Sequence, residues 1–131
     1  MIVLRRDQQR RLAGAVRRAY PREACGLLFA RAGDPVDLRL VPTAPTWNTP
    51  ISFRIRRREI ERFCSERVPL GEQLVGCFHS HLVAGPGPTG DDRRGAEQLG
   101  GLWLIYSVPA GRAAMFHWDG STFQERGLQL L

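Results

Sequence analysis

The amino-acid sequence predicts an α/β or α+β fold organised around one main sheet. Two observations carry that prediction. Segments with apolar residues four apart alternate along the chain with short apolar runs of strand length. The length of 131 residues fits one domain, expected to span residues 1–131 and large enough to bury a single core.

The elements follow in order. A helix is expected over residues 7–20, with Asp7 as N-cap and Leu12, Val16 and Tyr20 on one face. Pro21 ends it. The apolar run 25–30 reads as a buried strand, and the Gly33-Asp34-Pro35 turn joins it as a hairpin to 36–41, where Val36, Leu38 and Leu40 share a side. A Pro/Thr-rich connector over 42–50 precedes a short strand near 52–54. A second helix over 56–67 turns Ile60, Phe63 and Cys64 inward and a charged face outward, Arg56, Arg57, Arg58, Glu59, Glu61 and Arg62. A strand over 73–80 runs into the Gly/Pro loop 84–88. A third helix is expected from Thr89 to near Gly100. Three more strands follow at 102–108, 113–118 and 122–126, the last two joined by Asp119-Gly120.

Composition excludes several chemistries. All 19 basic side chains are arginine, so a Schiff-base lysine, a P-loop lysine and a Ser–Lys dyad are impossible. The net charge of +6 fits an acidic protein partner, a nucleic acid or a solvated surface, and does not choose among them. A hydrophobic fraction of 43% and a charged fraction of 24% are those of a globular protein and argue against disorder. The longest apolar stretch, around Leu102 and Tyr106, is far shorter than the ~20 residues of a membrane span. The first six residues hold no apolar core of signal-peptide length, so the expected location is cytoplasmic, with no membrane partner. Cys25, Cys64 and Cys77 form no CxxC pair, which argues for reduced thiols rather than a disulfide framework or a structural zinc finger.

Chemistry concentrates after the central strand. His79 and His81 alternate along it and therefore point to one face, where two imidazoles can converge on one metal ion. Cys77 shares that face, but a row of three in extended strand spans about 13 Å, too far for one ion. An oxygen ligand returned by the Gly/Pro loop would complete the set, with Asp92 and Asp91 both available. Two histidines, one carboxylate and an open position form the pattern of a catalytic zinc. Each piece also has a structural reading: paired histidines pack in many strands, and Thr89-x-x-Asp92 has the spacing of a helix capping box. His117 reads as an edge or surface residue.

Taken together, the pieces resemble a known family. His79-Ser80-His81, seven residues, Thr89, two residues and Asp92 is similar to the JAMM motif of the MPN metalloproteases, His-x-His, seven residues, Ser, two residues, Asp. The family's upstream glutamate matches Glu23 in Pro21-Arg22-Glu23-Ala24-Cys25-Gly26. Asn48, Phe53-Arg54-Ile55 and Val75-Gly76-Cys77-Phe78 add to the likeness, which covers nearly the whole chain. Two positions depart from the family pattern, Leu82 in place of proline and Thr89 in place of serine. Threonine keeps the hydroxyl but stiffens χ1.

The resemblance implies a JAMM/MPN fold, related to that of cytidine deaminases, with a central mixed sheet flanked by helices. It implies one catalytic Zn²⁺ held by His79, His81 and Asp92. Glu23 would be the general base, and Thr89 would stabilise the oxyanion. The implied activity is a zinc metallopeptidase or isopeptidase cutting after the C-terminal Gly-Gly of a small ubiquitin-like or sulfur-carrier protein. A catalytically weak scaffold that binds ubiquitin-like proteins is the rival from another class. A nucleobase deaminase would need H-x-E and P-C-x-x-C, and neither occurs. No RNP, KH or zinc-finger pattern supports a nucleic-acid partner.

Overall fold

The computed structural model describes residues 2–31, 37–44 and 55–131. The chain opens with β1 (Ile2–Leu4) and α1 (Arg6–Ala19), then forms β2 (Cys25–Arg31) and β3 (Leu38–Thr43). It continues through α2 (Arg57–Arg67), a 3₁₀ turn (Val68–Leu70), β4 (Glu72–His81) and α3 (Gly90–Leu99). It ends with β5 (Gly101–Ser107), β6 (Arg112–Trp118), β7 (Phe123–Arg126) and β8 (Leu128–Leu130). Six strands form one mixed sheet in the order β3-β2-β4-β5-β6-β7, in which β4 and β5 are parallel and the other pairs antiparallel. The crossover between the parallel strands is α3, as a parallel connection requires.

Alternation along the strands sorts side chains to two faces. Leu28, Phe78, Leu104 and Met115 pack with Leu12, Ala15, Val16 and Ala19 of α1 on one face. Cys25, Cys77, Trp103 and Ile105 pack with Ala96 of α3 on the other. Leu27, Phe29 and Val41 continue that second face beneath Ile60, Phe63 and Cys64 of α2. The central strands are therefore covered on both sides, which explains their near-continuous apolar sequence. β4 and β5 approach closely at Gly76, where any Cβ would run into the Leu102 backbone.

Several expectations are corrected. Asp7 is not the N-cap of α1. Arg5 is, and its N–H donates to Gln8 Oε1 at 2.6 Å, while Asp7 sits in the first turn and pairs with Arg5. Tyr20 is not on the buried face. The helix ends at Ala19, and Tyr20 is 64% exposed, so Gln8, Leu12, Ala15, Val16 and Ala19 supply the inner face. The second strand of the hairpin runs over Leu38–Thr43, further along than 36–41, and takes in part of the expected connector. The turn at Gly33-Asp34-Pro35, Val36 and the strand near 52–54 lie outside the described residues. The parallel pair β1–β8 was not expected at all.

Candidate metal centre

β4 brings the two histidines to the site. His79 lies opposite Cys25 of β2 and Ile105 of β5, so neighbours on both sides bury it completely. His81 follows at the end of the ladder, where its carbonyl accepts from Val108 N–H at 2.9 Å. The rings lean together with centroids 5.0 Å apart, and their Nε2 atoms are 3.2 Å apart. Trp103 packs edge-on against His79 at 5.7 Å.

α3 brings the carboxylate. Its first turn is closed reciprocally: Thr89 Oγ1 accepts from Asp92 N–H at 3.3 Å, and Asp92 Oδ2 accepts from Thr89 N–H at 2.8 Å. The capping reading of Thr89-x-x-Asp92 is therefore correct, and it serves the site. The cap turns Asp92 inward, where Oδ1 lies 2.8 Å from His79 Nε2 and Oδ2 lies 3.1 Å from His81 Nε2. Asp91, the competing carboxylate, pairs instead with Arg94 on the outside of the helix. One ligand atom each from His79, His81 and Asp92 lies within 4.8 Å of the others, and all three residues are buried. Cys77 and His117 are not in this group.

The loop between the second histidine and α3 is tied down at its base. His81 Nδ1 lies 2.7 Å from Gly85 O, and Ser107 Oγ donates to Ala84 O at 2.7 Å. With Nδ1–H given to a carbonyl, Nε2 is the nitrogen turned toward Asp92. Nothing in the sequence singles out Gly85 or Ser107, because one acts through its backbone and the other from a different strand.

Electrostatics follow from burial and pairing. Burial alone would raise the Asp92 carboxyl, but hydrogen bonds from His79 and His81 outweigh it and hold the carboxyl well below the usual range. Burial lowers His79 and so favours the neutral imidazole that binds metals. Burial also opposes protonation of His81, yet Asp92 and the Gly85 carbonyl raise it. Glu23 is pushed up to about 7, chiefly by burial; His81 and the Leu82 N–H oppose that shift, and Asp92 adds to it. Its Oε2 is buried and has no hydrogen-bond partner among the described residues.

The donors fit a metal. Two imidazole nitrogens and a carboxylate, buried and convergent, match a catalytic zinc in type and number. A buried Glu23 oxygen without a hydrogen-bond partner among the described residues lies near them and leaves room for a further polar group there. Asn48, Phe53 and Arg54 lie outside the described residues.

Known proteins resemble this chain over most of its length. The family model of prokaryotic homologs of the JAB domain matches residues 5–119. A desampylase of Haloferax volcanii is 34% identical over 110 residues, covering 80% of this chain and 76% of that one. A desampylase of Pyrococcus furiosus is 30% identical over 83 residues, covering 63% of this chain, and the match spans only 58% of that protein's length. Among solved structures, protein DSY2949 of Desulfitobacterium hafniense superposes with a TM-score of 0.82 at 28% identity, covering 100% of this chain and 93% of that one. The fold, the convergent His-His-Asp group and the match over residues 5–119 agree: the chain belongs to the JAB, or JAMM/MPN, family in its prokaryotic form.

Proposed function

We propose that this protein is a zinc-dependent isopeptidase, formed by one JAMM/MPN domain over residues 1–131. It hydrolyses the bond after the C-terminal Gly-Gly of a small ubiquitin-like or sulfur-carrier protein. One observation carries the reading: His79, His81 and Asp92 converge within 4.8 Å. Glu23 beside them, raised to about 7, fits the part of a base. The desampylase relatives support the substrate class.

His79 Nε2, His81 Nε2 and one Asp92 oxygen would hold a single Zn²⁺. Bound there, zinc supplies Lewis acidity, which acidifies water and polarises a carbonyl. The residues do the rest. Glu23 takes a proton from the attacking water and returns it to the departing amine. The bond broken is the amide C–N; the new C–O bond comes from water, and the products are a Gly-Gly carboxylate and a free amine. The Thr89 hydroxyl, whose oxygen already accepts from Asp92 N–H, keeps its own proton to donate to the developing oxyanion. The burial of His79 and Asp92 keeps bulk water from the ligands.

Exposed arginines of α2, Arg57 and Arg58, with Arg56 before it, suit an acidic carrier surface. The proposed compartment is the cytoplasm, where Cys25, Cys64 and Cys77 stay reduced; no helix among the described residues is long and apolar enough to cross a membrane. Incubating zinc-loaded protein with a carrier extended beyond Gly-Gly should release the extension. Stoichiometric zinc without cleavage would rule the substrate reading out.

A further inference from the structure

The geometry points to Ser80, the residue between the two histidines, as the positioning residue for Glu23. Sequence alternation turns Ser80 away from the histidine face, and the structure keeps it there, fully buried on the α1 side of the sheet. It nevertheless holds the strand that carries Glu23. The regular register of β2 on β4 ends at Cys25 opposite His79. One step further, Ser80 N–H donates to Ala24 O at 3.0 Å. In a regular antiparallel ladder Ala24 N–H would return to the Ser80 carbonyl. It donates instead to the Ser80 side-chain Oγ, at 2.8 Å.

The hydroxyl therefore replaces a backbone acceptor at the last rung. Its reach sets where the Glu23–Ala24 peptide plane lies, because the Ala24 N–H belongs to that plane. Glu23 is on the face opposite to Ser80 by alternation, the face of His79 and His81. Fixing the peptide fixes the position of Glu23 Cα and so limits the directions its Cα–Cβ bond can take. The carboxylate then comes under the influence of His81, Asp92 and the Leu82 N–H. Ser80 touches neither the metal ligands' donor atoms nor the reacting atoms. It acts through the backbone, by accepting from the buried Ala24 N–H at the edge of the site.

This assignment rests on Glu23 being the base, so the test separates the two. Ser80→Ala removes the acceptor; Ser80→Thr keeps it. Zinc-loaded Ser80→Ala should hold one zinc per chain, with an affinity loss below the roughly 10-fold typical of an outer-shell partner. Its kcat should fall by about 10²-fold, as for a catalytic group displaced by about 1 Å. KM should stay within about twofold, since binding contacts are untouched. Ser80→Thr should recover most of kcat. A lower melting temperature with unchanged kcat would make Ser80 merely structural and overturn the proposal, and so would loss of zinc. If the wild type cleaves no carrier, the functional reading fails on its own. Ser80 is then judged from zinc-bound crystal structures: a Glu23 carboxylate displaced in Ser80→Ala supports the assignment, and one left in place overturns it.

Discussion

Two clusters of opposite charge in this molecule use similar ingredients to different ends. One is the His79–His81–Asp92 group. The other joins Arg5, Asp37, Arg39, Glu72 and Arg67 between the start of α1, β3 and β4. In the second, each carboxylate meets two arginines, and the arginines stay 28–39% exposed at the side chain. Water reaches the arginines and Asp37 and weakens those pairs, although Glu72 itself is buried. In the first, all three residues are buried, and both oxygens of a single carboxylate are turned to imidazoles. The three donors converge where water is excluded, and a metal ion is what that donor geometry fits. The difference teaches that convergence and burial, not the presence of charge, mark the functional cluster.

Substitutions can break or sharpen that contrast. The largest effect is expected for Asp92→Ala, which should lose zinc by well over the roughly 10–100-fold of an outer-shell change and take cleavage to background; metal content by mass spectrometry checks it. Glu23→Gln comes next: zinc stays at one per chain, while kcat falls by about 10²–10⁴-fold in the carrier assay. Thr89→Ala should lower kcat by about 10²–10³-fold if the hydroxyl meets the oxyanion, with about 1 kcal/mol of stability lost with the cap. Thr89→Ser should keep both, and a melting curve beside a rate measurement separates the two contributions.

On the other side of the comparison, Glu72→Gln removes the charge and one of the two acceptor oxygens that meet Arg67 at 2.7 Å and Arg39 at 3.5 Å. Because Glu72 itself is buried, the expected cost is about 1–3 kcal/mol in denaturant unfolding, with kcat and zinc unchanged. A changed kcat there would mean the two clusters are coupled.

The smallest effect is a pH dependence. Glu23 in the metal-free fold is raised from 4.5 to about 7, so the folded state holds its proton longer than the unfolded one. Its contribution to stability is therefore greatest below about 4.5 and declines as pH rises to about 7. Wild type should accordingly lose stability relative to Glu23→Gln across that window, by an amount that partial exposure of Glu23 reduces. Zinc should move the Glu23 midpoint down, because a nearby cation favours the carboxylate; carboxyl NMR titration with and without zinc reads both.

Much of the site was legible in the sequence because its parts follow local periods. The two-residue alternation of a strand placed His79 and His81 together, and the three-residue spacing of a capping box turned Asp92 in beside Thr89. Glu23 was singled out only through family resemblance, since no local period links it to residues more than fifty positions on. The residues alone left Asp91 and Asp92 both open; the family spacing favoured Asp92, and the structure shows Asp91 paired with Arg94. What local pattern could not reveal is long-range. β1 and β8 are three-residue strands from opposite ends of the chain, too short to show alternation, and each depends on the other for hydrogen bonds. Asp7 looked like an N-cap because Gln8, which caps α1 by reaching back to Arg5, is not among the usual cap residues. The bond from Ala24 N–H to Ser80 joins positions whose closeness only the β2–β4 register creates.

The claim that the buried cluster is a metal centre, and not a second ion-pair network, is tested most directly by anomalous diffraction at the zinc edge from crystals grown with zinc. The account predicts one strong peak, bonded to His79 Nε2, His81 Nε2 and an Asp92 oxygen at about 2.0–2.2 Å. No peak there, or zinc held only by other residues while His79, His81 and Asp92 keep their direct contacts, would contradict it.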